Sequence, residues 1–274
     1  MLKLILITND LEISNYAYDS GVDYIMIDLE VLGKVDRQKN FNMLQSYHSL
    51  NDIEKFRKKF PNQKLIVRSN SPKYIDPTEI KSILSFEPDM LMVPFFDKYS
   101  EIKGIIEEIS TTNTKIFPLF ETSSSLFKLH DFVDTGKIEH YYIGLNDLRL
   151  TIGYDFLFEA VSNDLIDYAA QIISKNVANL FGFGGISRMG VGELPANLIL
   201  SEHVRLNSEY VILSRAFHNN SLSYSQIKEN IDLPFEIRKL REEELLFRNM
   251  TREELASNHF ELKRIVRNII KYNP

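Results

Sequence analysis

The sequence predicts an α/β protein, a (β/α)8 TIM barrel with a C-terminal helical extension. Three observations carry that prediction. Up to about residue 233, short apolar runs alternate with segments of helical character. Eight such runs can be counted, and several are apolar without period-2 alternation, the pattern of strands covered on both faces. Finally, 274 residues suit one barrel of about 250 residues with an addition.

Leu2 to Thr8 (LKLILIT) is strand one, with an unbroken apolar core from Leu4 to Ile7. Leu11 to Ser20 reads as a short helix stopped by Gly21, and Asp23 to Leu29 (DYIMIDL) as a second buried strand with Asp28 and Glu30 at its end. After a polar loop, Ser49 or Asn51 caps a helix whose Ile53, Phe56 and Phe60 fall at helical spacing. KLIVRSN is strand three. A helix beginning near Pro77 leads to DMLMVPF, strand four, and Tyr99 to Ile109 supplies the next helix.

Lys115 to Phe120 and His140 to Gly144 are strands five and six, each followed by a helical segment. Asp155 to Ser174 is expected to be helical, ANLFGFGG forms strand seven, and Glu193 to Leu206 is helical again. SEYVILSRAF gives strand eight, and a last helix spans about Ser221 to Ile231. A doubly wound open sheet ranks second, because its Gly-rich fingerprint would follow an early strand and the glycines here follow strand seven. Residues 1–233 are thus read as the barrel. Residues 234–274 form a charge-rich extension, with Leu240, Leu255, Phe260, Leu262, Ile265 and Ile269 at helical intervals and a capping box at Thr251 and Glu254. It is expected to pack on the barrel or on a partner subunit, and a homo-oligomer is anticipated.

The net charge of -6 and pI near 5.6 argue against nucleic acid as a general partner and leave room for an anionic small molecule held by local cations. The absence of cysteine excludes disulfides, thiolate metal sites and a cysteine nucleophile. The apolar run Leu4 to Ile7 is too short for a signal segment or a membrane span, so a soluble, cytoplasmic protein is expected.

If the strands are placed correctly, Asp28, Glu30, Arg68, Asn70, Glu121, Asn146, Asp147, Ser214 and Arg215 gather at carboxyl ends, the face on which such barrels carry their chemistry. A single acid after a strand is more often a cap or turn former. Glu121 and Asp147 together, ending neighbouring parallel strands, are the oxygen ligands that a hard cation such as Mg2+ requires. Arg68 suits a carboxylate or a developing enolate oxygen, or else a structural ion pair with Asp28. Gly182, Gly184 and Gly185 bring backbone amides near an anion, with Arg188 as a second cation, or else serve tight turn geometry. Lys34, Arg37 and Gln38 read as a solvated loop that can reach over the site. No histidine pair has metal-ligand spacing, and none of the six is given a catalytic role.

The ordered set IDLE (Ile27–Glu30), VRSN (Val67–Asn70), LMVP (Leu91–Pro94), PLFET (Pro118–Thr122) and IGLNDLRLTIG (Ile143–Gly153) resembles the HpcH/HpaI aldolase and citrate lyase beta-subunit family, within the phosphoenolpyruvate/pyruvate-binding barrels. The resemblance spans strands two to six well and the FGFGGIS and VILSRAF segments more loosely. It implies Mg2+ or Mn2+ on Glu121 and Asp147, and Arg68 on the carbonyl oxygen of a pyruvyl or acyl group. Asp28 or Glu30 would then act in proton transfer or water positioning, with Asn70, Gly184, Gly185 and Arg188 toward the substrate. The implied activity is a metal-dependent carbon-carbon lyase or aldolase acting on a small 2-oxo acid, hydroxy acid or acyl thioester, coenzyme A thioesters included. The sequence departs from the family at Val31, where a second acid is common, at Phe95, where lysine is common, and in lacking a histidine near strand two. The missing base makes a second reading credible, a non-catalytic ligand-binding barrel serving as sensor or scaffold, and because enolate and acyl activation use the same metal electrophile, a third is an acyl-thioester hydrolase on the same metal platform.

Overall fold

Alternate residues of each strand face opposite ways, and here both faces are apolar. Leu4 and Leu6, Ile25 and Ile27, and Leu65 and Val67 pack outward against the helices, whereas Ile5, Met26 and Ile66 point inward. A strand apolar on both sides is stable only between two buried layers, and a closed barrel surrounded by helices supplies both. The computed structural model describes residues 1–32, 48–221 and 223–272. In it, eight parallel strands close in sequence order: β1 (Lys3–Ile7), β2 (Tyr24–Asp28), β3 (Leu65–Arg68), β4 (Met90–Val93), β5 (Lys115–Phe120), β6 (His140–Ile143), β7 (Leu180–Ile186) and β8 (Tyr210–Leu213), with β8 returning to β1.

The barrel interior is filled by Ile5, Met26, Ile66, Met90, Met92, Phe117, Leu119, Tyr142 and Tyr210. Phe117 meets Tyr142 and Tyr210 edge-on, with centroids 5.6 and 5.1 Å apart. Gly182 is the space left for these rings: a Cβ there would collide with the Tyr210 backbone oxygen and the Tyr142 ring. Its place in the predicted glycine cluster therefore reflects packing. Leu119 and Tyr142 form the top of this plug and the floor of the cavity above it.

Local signals set the helix starts. Asp10 caps Leu11–Asp19 by accepting from the backbone N–H groups of Glu12 and Ile13, and Pro77 opens a helix capped by Asp76. Ser49 precedes Leu50–Lys59, with the Asp52 carboxylate accepting the Ser49 N–H at 2.8 Å. The expected helix over Asp155 to Ser174 is in fact two, Glu159–Ser162 and Leu165–Ile173. Asp164 breaks it at φ +61, where its carboxylate meets His259 and Lys263 from the C-terminal segment at 2.9 and 2.7 Å.

That segment forms two helices, Leu233–Arg248 and Arg252–Tyr272, packed against helix Ala196–Arg205. The buried carboxylate of Glu244 accepts the Leu2 N–H at 2.6 Å and is held by Arg241 and Arg248, fixing the first helix to the start of β1. The capping box at Thr251 and Glu254 is present, with bonds of 2.7 and 3.2 Å. In the second helix Leu255, His259, Leu262 and Val266 make the buried stripe. Phe260, expected on that stripe, lies off it and is 69% exposed. Among the described residues no helix is long and apolar enough to cross a membrane.

Candidate metal and anion site

At the carboxyl ends of the strands a cavity of about 250 Å³ is lined by Glu30, Arg68, Glu121, Asn146, Asp147, Gly184, Gly185, Ser214 and Arg215 over the Leu119, Tyr142 and Ile212 floor. Parallel strands ending on one edge bring together residues up to 185 positions apart, from Glu30 to Arg215. A larger cleft of about 880 Å³ lies around Arg57 and Asp89, but there Arg57 is bound to Asp89 and to three backbone carbonyls, so its charge is already committed to structure.

Glu121 directly follows β5 and is 5% exposed, and Asp147, 6% exposed, sits in the first turn of helix Leu145–Ile152, one turn beyond β6. A helix N-terminus favours an anionic side chain at that position. Gly144 joins the two. Its Cβ, if present, would meet Glu121 Cβ, Glu121 Oε2 and Leu119 Cδ1, each at 3.0 Å, tighter than an ordinary contact, so the missing side chain leaves the Glu121 carboxylate room it would otherwise have to yield in part. Two buried carboxylates on one wall of a cavity with room for water are a hard, oxygen-only donor set that fits Mg2+ or Mn2+ and suits neither a thiophilic ion nor an imidazole-rich site.

Arg68, at the end of β3, is placed by Asp28, at the end of β2, through a paired contact: Nε donates to Oδ1 at 2.8 Å and an Nη to Oδ2 at 2.6 Å. Glu30 Oε2 adds a longer contact of 3.6 Å. Burial works against the charged guanidinium, but Asp28 and Glu30, with Glu121 beyond them, outweigh it and hold Arg68 firmly protonated. Arg68 is thus ion-paired with Asp28 and also lines the cavity.

Three expected site residues are elsewhere. Asp28 does not line the cavity; besides Arg68 it accepts the Glu30 N–H at 3.1 Å, which makes it the orienting counter-ion of the guanidinium. Asn70 is used at both ends of its amide. Its oxygen accepts Val31 N–H and Leu32 N–H at 2.9 and 3.0 Å, and its nitrogen donates to Glu79, so it fixes the turn after β2 instead of facing a ligand. Arg188 also lies off the cavity lining, two residues beyond Ile186, the end of β7. Lys34, Arg37 and Gln38 lie outside the described residues.

Two residues were missed. Tyr142 reads as an ordinary strand aromatic, yet its hydroxyl donates to Gly184 O at 2.6 Å and accepts Ile212 N–H at 2.9 Å, joining β7 and β8 where the register slips between Gly182 and Gly185. Burial raises its hydroxyl pKa well above the usual tyrosine value, so it stays a neutral hydrogen-bonding group. His48 is the second. Its Nδ1 accepts the Asp28 backbone N–H at 2.8 Å, so a histidine does reach the end of β2, from 20 residues further along the chain. No local pattern announces such a contact.

No protein-family model matches the sequence, and no curated protein does. Solved structures do match in shape. An HpcH/HpaI aldolase from Desulfitobacterium hafniense DCB-2 aligns with a TM-score of 0.59 at 11% identity, over 84% of this chain and 93% of that one. The citrate lyase beta subunit of M. tuberculosis, in complex with oxaloacetate and magnesium, aligns at 0.56 with 15% identity, over 89% and 96%. A 3-hexulose-6-phosphate synthase from Salmonella typhimurium also aligns at 0.56 with 15% identity, over 90% and 100%. At such identities the likeness establishes the shared barrel fold, and enzymes of differing chemistry use that fold.

Proposed function

We propose that this barrel is a divalent-metal-dependent carbon-carbon lyase or aldolase that acts through an enolate on a small 2-oxo acid, hydroxy acid or acyl thioester. The observation that carries the reading is the convergence of buried Glu121 and Asp147 with the Asp28-anchored Arg68 on one small cavity. The aldolase and the magnesium-bound citrate lyase subunit among the structural neighbours agree with it. Glu121 and Asp147 would hold Mg2+ or Mn2+, which supplies Lewis-acid polarisation of a substrate carbonyl. Arg68 would donate hydrogen bonds to the oxygen on which negative charge develops, already oriented before the reaction by Asp28 and Glu30. The floor of Leu119, Tyr142 and Ile212 keeps water from the buried side of that oxygen. Glu30, the acid nearest Arg68 on the cavity wall, is assigned to holding or moving a proton at the carbon next to the carbonyl.

One observation favours a second reading, binding without turnover. Asp28, an expected proton carrier, is committed to Arg68 through both oxygens. The deciding experiment is calorimetric titration of oxalate, a planar mimic of the pyruvate enolate, with and without Mn2+, followed by assays of 2-oxo acid turnover. Oxalate binding that needs Mn2+ and is lost in both Glu121→Gln and Asp147→Asn is expected, and unchanged binding in both variants refutes the site. Binding without any turnover would select the non-catalytic reading.

A further inference from the structure

The cavity holds two guanidiniums with different surroundings. Arg68 is neutralised by Asp28 and Glu30. Arg215, just past β8, is not: among the described residues its guanidinium makes no ion pair and donates no hydrogen bond, although it lines the same cavity. Desolvation disfavours its cationic form, Asp28 favours it, and the charge of Arg68 works against it by a smaller amount, so that its pKa lies below the usual arginine value overall. Arg215 as a whole is exposed to solvent while lining the cavity, so its unpaired guanidinium is accessible to an anion that enters there. Beside it, the Ser214 Oγ is buried and has no hydrogen-bond partner. Buried hydroxyls are nearly always bonded, and this one lines the cavity. The adjoining wall is Gly184 and Gly185, which have no side chain to stand between a ligand and these two donors. Ser214 and Arg215 follow β8, with β7 between that strand and β6, so they stand apart from the wall made by Glu121 after β5 and Asp147 after β6.

We infer that Arg215 and Ser214 form an anion subsite for a second acidic group of the substrate, a carboxylate or a phosphoryl group, while its 2-oxo acid end lies toward Glu121, Asp147 and Arg68. The inference rests on the metal-dependent reading above and deepens it: the substrate is anionic at both ends. Arg215 is thereby a specificity residue for the far end of the substrate.

The test uses the whole protein loaded with Mn2+ and four probes. Oxalate and pyruvate occupy only the metal end, oxaloacetate adds a second carboxylate, and 3-phosphonopyruvate adds a phosphonate. The wild type should bind one of the two longer probes at least about ten-fold more tightly than pyruvate, as one charge-assisted pair predicts. Which of the two gains identifies the second group. Arg215→Gln should remove that gain, a loss of about ten- to hundred-fold, and change oxalate and pyruvate binding by less than about three-fold. Ser214→Ala should cost a few-fold on the same probe alone. An Arg215→Gln variant that keeps the gain, or weakens oxalate equally, overturns the subsite. Failure of the underlying reading is distinguishable, since oxalate would then not bind the wild type with Mn2+. In that event inorganic phosphate titrated into the metal-free protein decides: binding lost in Arg215→Gln supports the subsite, and no binding overturns it.

Discussion

Replacing Gly144 by alanine tests the proposed metal site without touching a ligand. The backbone there has φ -85° and ψ 110°, which alanine adopts freely, so the substitution acts through contact alone. The new methyl would stand 3.0 Å from Glu121 Cβ, Glu121 Oε2 and Leu119 Cδ1, against about 3.5–4.0 Å for an unstrained carbon contact. The Leu119 methyl can rotate away. Glu121 Cβ cannot without moving the end of β5, so the displacement falls on the carboxylate. Overpacking of this kind costs about 1–3 kcal/mol. At about 2 °C per kcal/mol for a chain of this size, Tm should fall about 2–6 °C. Mn2+ affinity should drop about 10–100-fold, the usual effect of shifting a ligand from its position. Calorimetric Mn2+ titration and thermal melts read both numbers. Gly104→Ala is the control: that glycine lies exposed in helix Tyr99–Ile109 with nothing within 4 Å of a new Cβ. It should bind Mn2+ normally and gain up to about 1 kcal/mol. Wild-type Mn2+ affinity in a folded Gly144→Ala protein would refute the argument that Glu121 holds the ion in this packing.

Two further predictions concern the supports of the fold. His259 lies between Glu202 and Asp164, with both ring nitrogens 2.9 Å from a carboxylate oxygen and with Arg205, Asp167 and Lys263 completing the cluster. Only an imidazolium can donate in both directions; burial lowers its pKa, but Glu202 and Asp164 outweigh this and raise it overall. A raised folded-state value gives stability that is complete below the unfolded value near about 6.5 and is lost as pH rises through the folded one. Urea melts should therefore show wild type losing stability from acid to alkaline pH and His259→Gln losing much less; parallel curves would refute the charged bridge. Tyr142→Phe should cost about 1–3 kcal/mol in the same melts, because Ile212 N–H and Gly184 O lose their shared partner. It should also loosen the Gly184 and Gly185 wall, seen as faster amide exchange there, and unchanged exchange would mean the bulge holds itself.

How much was legible follows from how far apart the interacting residues are. Strand identity is local: an apolar run such as LKLILIT or DYIMIDL is buried on both faces wherever it lies, so the eight strands, their order and the barrel came from the sequence, along with the helix start at Pro77 and the capping box at Thr251. The gathering of Glu30, Arg68, Glu121 and Asp147 followed from topology, because residues at the carboxyl ends of parallel strands emerge on one face whatever their separation. What each side chain does there is not local. Arg68 ends β3 and Asn70 follows two residues later, and the two read alike in sequence, yet Asn70 holds the turn after β2 while Arg68 faces the cavity, a choice made by partners from distant segments. Asp164 leaves its helix for His259, 95 residues away, and Tyr142 braces a bulge between β7 and β8. Sequence periodicity determined which segments are buried, and only the three-dimensional packing decided which polar groups meet, since hydrogen bonds depend on positions that a one-dimensional pattern does not contain.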